Sequence, residues 1–158
     1  CPSASRAEGQ QGGKGRETVS QFSEEITVNT DPERIFVLYE DVANWKQWDP
    51  DIASSSISGP FTSGTTGKLK PTKGPEARIK IVSMEKNKSF TTQSNFPLCT
   101  MIFEHNLLPA KGSTHVIHRV SFDGPLSFFF GWVIGNQIRK GLPGALRGLK
   151  QTAETRTV

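Results

Sequence analysis

The sequence predicts an α+β domain, in which a strongly curved antiparallel sheet of about seven strands wraps on one long C-terminal helix. Three observations predict it. Between Phe22 and Asp123 the chain falls into short segments of alternating apolar and polar residues separated by turn formers, the pattern of half-buried strands. From Phe130 onward Ile134, Ile138, Leu142, Leu146 and Leu149 recur near every fourth position, one apolar stripe on a helix. Gly 15 and Pro 10 among 158 residues form a turn-rich balance that excludes an all-helical bundle. This length makes one domain of ordinary size.

Residues 1–20 hold Gly, Ser, Gln and charge, with Val19 the only branched aliphatic; they cannot bury enough surface to offset their ordering entropy and are expected to form a flexible tail. The folded domain is expected over residues 21–158. Phe22 to Val28 reads as the first strand. Two short helices follow. The first starts at Thr30 or Asp31 as cap, with Pro32 where a missing N–H costs nothing, and carries Ile35, Phe36, Leu38 and Tyr39 on one face. The second spans Asp41 to Trp48 and is closed by Asp49-Pro50.

Six further strands are expected at 52–58, 65–70, 77–82, 89–95, 99–108 and 114–123, with Pro109 to Ser113 as a hairpin loop. Gly124-Pro125 ends the sheet, and the long helix begins near Leu126, with a kink expected at Pro143.

Composition excludes several classes. The net charge is +4 and the pI about 9.2, but the positive charge is concentrated in Arg139, Lys140, Arg147, Lys150 and Arg156, opposed only by Glu154 over residues 138–158. A local basic helix face is not the footprint of a duplex binder, so no nucleic-acid partner is expected. Two cysteines, Cys1 and Cys99, cannot make a disulfide scaffold. The apolar run Leu126 to Gly135 is far shorter than the roughly 20 residues of a membrane span. The expected location is cytoplasmic. A leading Cys on a polar tether also begins a mature bacterial lipoprotein, so the alternative is a lipid anchor at Cys1.

Several stretches resemble the START-like (SRPBCC) superfamily of helix-grip folds, which includes polyketide cyclase/dehydrase-type proteins, lipid-transfer domains and birch-pollen-allergen-type carriers. They are Ile26 to Phe36, Asp41 to Pro50, Gly59-Pro60-Phe61 with Gly64, Phe103-Glu104-His105 with Leu107, Thr114 to Val120 with Gly124-Pro125-Leu126, and Leu142-Pro143 with Leu149 and Glu154. The resemblance covers about residues 22–155, and the superfamily has no shared catalytic signature. It implies a deep cavity for a small hydrophobic or aromatic ligand without an obligatory cofactor. The residues expected to line it are Trp48, Ile79, Ile81, Phe90, Phe103, Val120, Phe130, Ile134 and Ile138.

The most informative residues are His105 and His118. A hairpin closed by residues 109–113 can pair Leu107 with Val116, His105 with His118 and Phe103 with Val120, placing all six on one face that is apolar except for two adjacent imidazoles. On a cavity wall each is a candidate acid/base or hydrogen-bonding group; elsewhere they would satisfy neighbouring polar groups. No metal is expected: Glu104 points to the opposite face from His105, His115 differs in parity from His118, and no CxxC or HExxH spacing occurs.

Trp45 and Trp48 either plug the rim of the core or form an aromatic gate. The triplet Phe128-Phe129-Phe130 goes around a helix, so one ring must leave the core for solvent, a partner or a membrane interface above the basic helix face. The first functional expectation is binding, extending to transport, of a small hydrophobic or aromatic ligand such as a lipid or polyketide; the alternative is a metal-free polyketide cyclase or dehydratase using His105 and His118. A monomer or weak dimer is expected.

Overall fold

A computed structural model describes residues 21–155; the predicted tail and the lipid-anchor reading of Cys1 lie outside the described residues. The order is β1 (Gln21–Val28), α1 (Pro32–Glu40), a 3-10 turn (Val42–Gln47), β2 (Ile52–Ile57), β3 (Thr66–Pro71), β4 (Ala77–Glu85), β5 (Ser89–Phe96), β6 (Cys99–Ala110), β7 (Ser113–Asp123), α2 (Ser127–Phe130), a π turn (Gly131–Gly135) and α3 (Asn136–Thr155). The seven strands form one antiparallel sheet in the order β1-β7-β6-β5-β4-β3-β2, curled around the C-terminal helix. This is the predicted helix-grip architecture.

The two strands on either side of α1 stand at opposite edges of the sheet, so α1 and the 3-10 turn form the crossover that spans it. Asp31 occupies the cap position of α1 with Pro32 behind it, but its carboxylate makes no cap bond. The second predicted helix is a 3-10 turn, whose poorer hydrogen bonding suits so short a piece. Pro143 does not interrupt α3. The departure from α-helical geometry falls earlier, at Gly131–Gly135, where Gly135 packs against Phe122 and Phe22.

Two apolar clusters hold the layers together. One joins Phe36, Tyr39, Trp45, Trp48 and Phe90 to Leu146 and Leu149 of α3; the other joins Phe22, Val120 and Phe122 to Leu142, with Phe96, Phe103, Ile134 and Ile138 against it. Burying a side chain such as Leu149 contributes about 1.5–3 kcal/mol. The clusters meet between sheet and helix, and there a cavity remains.

Candidate functional site

The cavity encloses about 250 Å³. Its floor is the concave face of the sheet: Ala77 and Ile79 from β4, Phe90, Thr92, Ser94 and Phe96 from β5, Met101, Phe103 and His105 from β6, and His118 from β7. Its roof is Ile134, Gln137, Ile138, Gly141, Leu142 and Ala145 of the helix. Trp45, Trp48, Asp49, Asp51, Lys73 and Glu76 belong to the connecting segments that complete the wall.

The predicted hairpin register is the observed one: Leu107 pairs with Val116, His105 with His118 and Phe103 with Val120. His105 and His118 are 6% and 1% exposed, and their rings meet edge-on at 4.5 Å. His105 is stacked parallel to Phe90 at 3.9 Å and to Phe103 at 4.4 Å. Its Nδ1 lies 3.3 Å from the Phe90 carbonyl. A carbonyl can only accept, so Nδ1 carries the proton and Nε2 keeps a bare lone pair.

His118 Nε2 lies 2.8 Å from the Tyr39 hydroxyl, and Tyr39 is fully buried. Burial and the neighbouring His118 hold His105 far below the usual imidazole range, and burial pushes His118 down to about 3. Burial also pushes the Tyr39 phenol up. All three groups are therefore neutral at pH 7.

The connecting segments carry acid. Burial pushes the Asp49 carboxyl up to about 6, against the backbone N–H of Asp51, which donates to it at 3.0 Å, and with the Asp51 charge as a lesser upward push. Asp51 presses on the helix at Gly141, where an added Cβ would stand 1.8 Å from its carboxylate oxygen. At Gly148 an added Cβ would stand 1.9 Å from the Trp48 carbonyl oxygen. Two glycines on α3 thus let the segment from Trp48 to Asp51 approach the helix closely. Opposite, Gln137 Nε2 donates to the Lys73 carbonyl at 2.8 Å and ties the β3–β4 loop to α3.

This arrangement places the sequence-predicted residues as follows. Trp48, Ile79, Phe90, Phe103, Ile134 and Ile138 line the cavity together with His105 and His118. Ile81, Val120 and Phe130 do not. Ile81 sits beside a register shift in β4 and its backbone bonds the loop at Gly64 and Thr65; Val120 packs in the cluster with Phe22 and Leu142; Phe130 stands behind the wall, stacked on Phe96 at 5.3 Å.

Sequence reasoning missed Tyr39, Asp49, Thr92 and Ser94. Tyr39 is the chain's single tyrosine, a polar tip on an apolar helix face, and Thr92 and Ser94 share the parity of Phe90; those were the available signals. His115 faces the other side of the sheet, 3.1 Å from Glu25. Among the described residues no group of three His, Cys, Asp or Glu side chains is placed to hold a metal.

A curled seven-stranded sheet gripping a long helix over an internal cavity agrees with the family model "Polyketide cyclase / dehydrase and lipid transport", which matches residues 19–154. The chain belongs to this family. No curated protein matches the sequence of this polyketide cyclase/dehydrase and lipid transport family member.

Solved structures share its fold at low identity. A protein from Mesorhizobium loti has 14% identity and a TM-score of 0.71, over 87% of this chain and 99% of that one. Ara h 8.0201 has 19% identity and a TM-score of 0.66, over 86% and 98%. The di-domain ARO/CYC protein StfQ from the steffimycin biosynthetic pathway has 12% identity and a TM-score of 0.71, over 85% of this chain and 50% of that one.

Outside the cavity, Leu98, Phe128, Phe129 and Trp132 are 66%, 74%, 55% and 64% exposed. They gather at one end of the molecule because the Leu126 N–H donates to the Leu98 carbonyl at 3.1 Å, joining the β5–β6 turn to the start of the helix. Among the described residues no helix is long and apolar enough to cross a membrane.

Proposed function

We propose that the protein binds a small hydrophobic or aromatic molecule, of lipid or polyketide type, in the cavity between sheet and helix. The observation that carries this is the lining itself: five aromatic residues (Trp45, Trp48, Phe90, Phe96 and Phe103) and a row of aliphatic ones around enclosed space, with the buried polar groups held neutral. Such walls bind by removing apolar surface from water, while a few polar groups fix orientation. Native mass spectrometry of the purified chain should show a retained or added small hydrophobic molecule. A cavity that takes up none from a panel of lipids and aromatic compounds would overturn the reading.

The second reading is a cyclase or dehydratase, favoured by the contact of two cavity histidines backed by Tyr39. In it His105 Nε2 would accept a proton from the bound substrate. The electrostatics favour binding instead. A general base works best with a pKa near the operating pH, and burial holds both imidazoles far below it. If His105→Ala and His118→Ala bind a ligand as the wild type does yet lose turnover of it, the enzyme reading prevails.

We also propose that the aromatic end seats the protein on an anionic membrane surface. Phe128, Phe129 and Trp132 supply the insertion, and Lys140 and Arg147, both exposed farther along the same helix, supply the attraction.

A further inference from the structure

The turn between β5 and β6 holds a residue in a conformation it does not favour. Phe96 pairs with Cys99, so Pro97 and Leu98 alone make the link. The proline ring fixes its own φ near about −65°, and the next position then takes a positive φ, the type II pattern in which glycine is usual. Leu98 stands there at φ 55°. Among the described residues Asn87 is the other non-glycine with a positive φ, and asparagine tolerates the left-handed region where leucine does not. The surroundings enforce the geometry. The Leu98 carbonyl accepts the Leu126 N–H at 3.1 Å, and Gly124 fits so closely that an added Cβ would stand 2.7 Å from the same oxygen.

Packing inside the molecule does not offset this strain. Leu98 belongs to neither apolar cluster and is 66% exposed. A glycine or asparagine would make the same turn with less strain and no apolar side chain in water. What a projecting leucine adds is contact with something outside the chain.

The neighbourhood points to its nature. Two stretches without a charged side chain, residues 89–103 and 124–138, converge at this end. With Leu98 they expose Phe128, Phe129, Trp132 and Val133. The rim of a protein–protein contact is polar, whereas a hydrocarbon phase excludes charge and holds tryptophan at its edge. Cations begin just beyond. Lys140 is exposed and lies eight residues past Trp132, about 12 Å along a helix and close to the roughly 10 Å Debye length at moderate salt. Asp123, the acid at the margin, accepts the Gly124 N–H at 2.9 Å.

We infer that Leu98 is a membrane-insertion residue: the β5–β6 turn and the start of the C-terminal helix form a two-pronged wedge, and Leu98 enters the acyl region of an anionic membrane together with Phe128, its left-handed backbone being strain retained for that contact. This rests on the aromatic end being a membrane seat.

The test is sedimentation of the full chain with phosphatidylcholine–phosphatidylglycerol vesicles at low salt, beside thermal melts without lipid. Leu98→Gly should raise Tm by about 2–4 °C and weaken vesicle binding about 10-fold, an opposition that a residue serving only the fold cannot produce. Leu98→Asn should move both readouts the same way, so the matter is decided even if one variant folds poorly. Leu98→Met, apolar and still left-handed, should bind vesicles as the wild type does. Undiminished vesicle binding by the Gly and Asn variants overturns the inference and leaves the membrane seat standing. A Tm that rises in neither variant shows that Leu98 serves the fold, and also overturns it. Wild-type protein that stays in the supernatant overturns the membrane seat and this inference together.

Discussion

The Tyr39 hydroxyl and His118 Nε2 lie 2.8 Å apart with both side chains closed off from solvent. One hydrogen bond thereby ties the crossover helix to the cavity wall across a separation of 79 residues. Tyr39→Phe keeps the ring packing against Phe90, at 4.8 Å, and removes only this bond. It leaves a buried imidazole nitrogen unpaired, so the expected loss is about 1–2 kcal/mol in urea unfolding. An unchanged unfolding midpoint would show that His118 finds another partner.

Acid should weaken the fold. In the unfolded chain His118 takes up a proton near 6.5, whereas in the folded chain it does so only near about 3. Within that window the unfolded state binds the extra proton, so stability falls as pH drops and is untouched above 6.5. His105 shifts in the same direction. Asp49 runs the other way: its carboxyl titrates at about 6 when folded against 3.8 unfolded, so falling pH favours the folded state there. Two histidines against one carboxylate leave a net loss of stability as the pH falls below about 6. Urea titrations at about pH 7 and 4.5 measure it, and His118→Gln should flatten the profile.

Two glycines one helical turn apart should respond oppositely to alanine. Ordinarily Gly→Ala in a helix interior stabilises by about 1 kcal/mol. Gly144 has the room, its nearest neighbour being 3.9 Å from an added Cβ, and Gly144→Ala should raise Tm. At Gly148 the Cβ would meet backbone oxygen at 1.9 Å, and Gly148→Ala should destabilise by about 2 kcal/mol or more. Thermal melts of the two variants side by side check the close seating of the Trp48 segment on α3.

The exposed aromatic end gives a binding prediction independent of the cavity. Phe128→Ser with Trp132→Ser should leave Tm within about 0.5 kcal/mol equivalent, since both rings are mostly in water. The same change should cut sedimentation with anionic vesicles at low salt about 10-fold. Wild-type protein that stays in the supernatant would end the membrane proposal.

Alternation and turn chemistry act over a few residues, and they made most of the sheet legible. The β6–β7 register followed from a short loop and a one-face apolar pattern, because a slip by one residue would turn Val116, His118 and Val120 to the wrong side. The same parity rule placed Phe90 and Ile79 on the inner face but equally admitted Ile81 and Val120, since it cannot tell a filled part of the core from a hollow one. The kink expected at Pro143 did not disturb α3, and the π turn at Gly131–Gly135 had no local signal beyond its two glycines.

Local chemistry alone therefore determined the element order, the helix-grip packing and the neighbouring pair of histidines, because strand parity and helical spacing are short-range properties. Tertiary packing alone decided that Tyr39 backs His118, that Asp49 and Asp51 stand at the cavity, and that Thr92 and Ser94 look into open space. Those facts depend on which long-range surfaces fail to touch. A void has no residue of its own to be read.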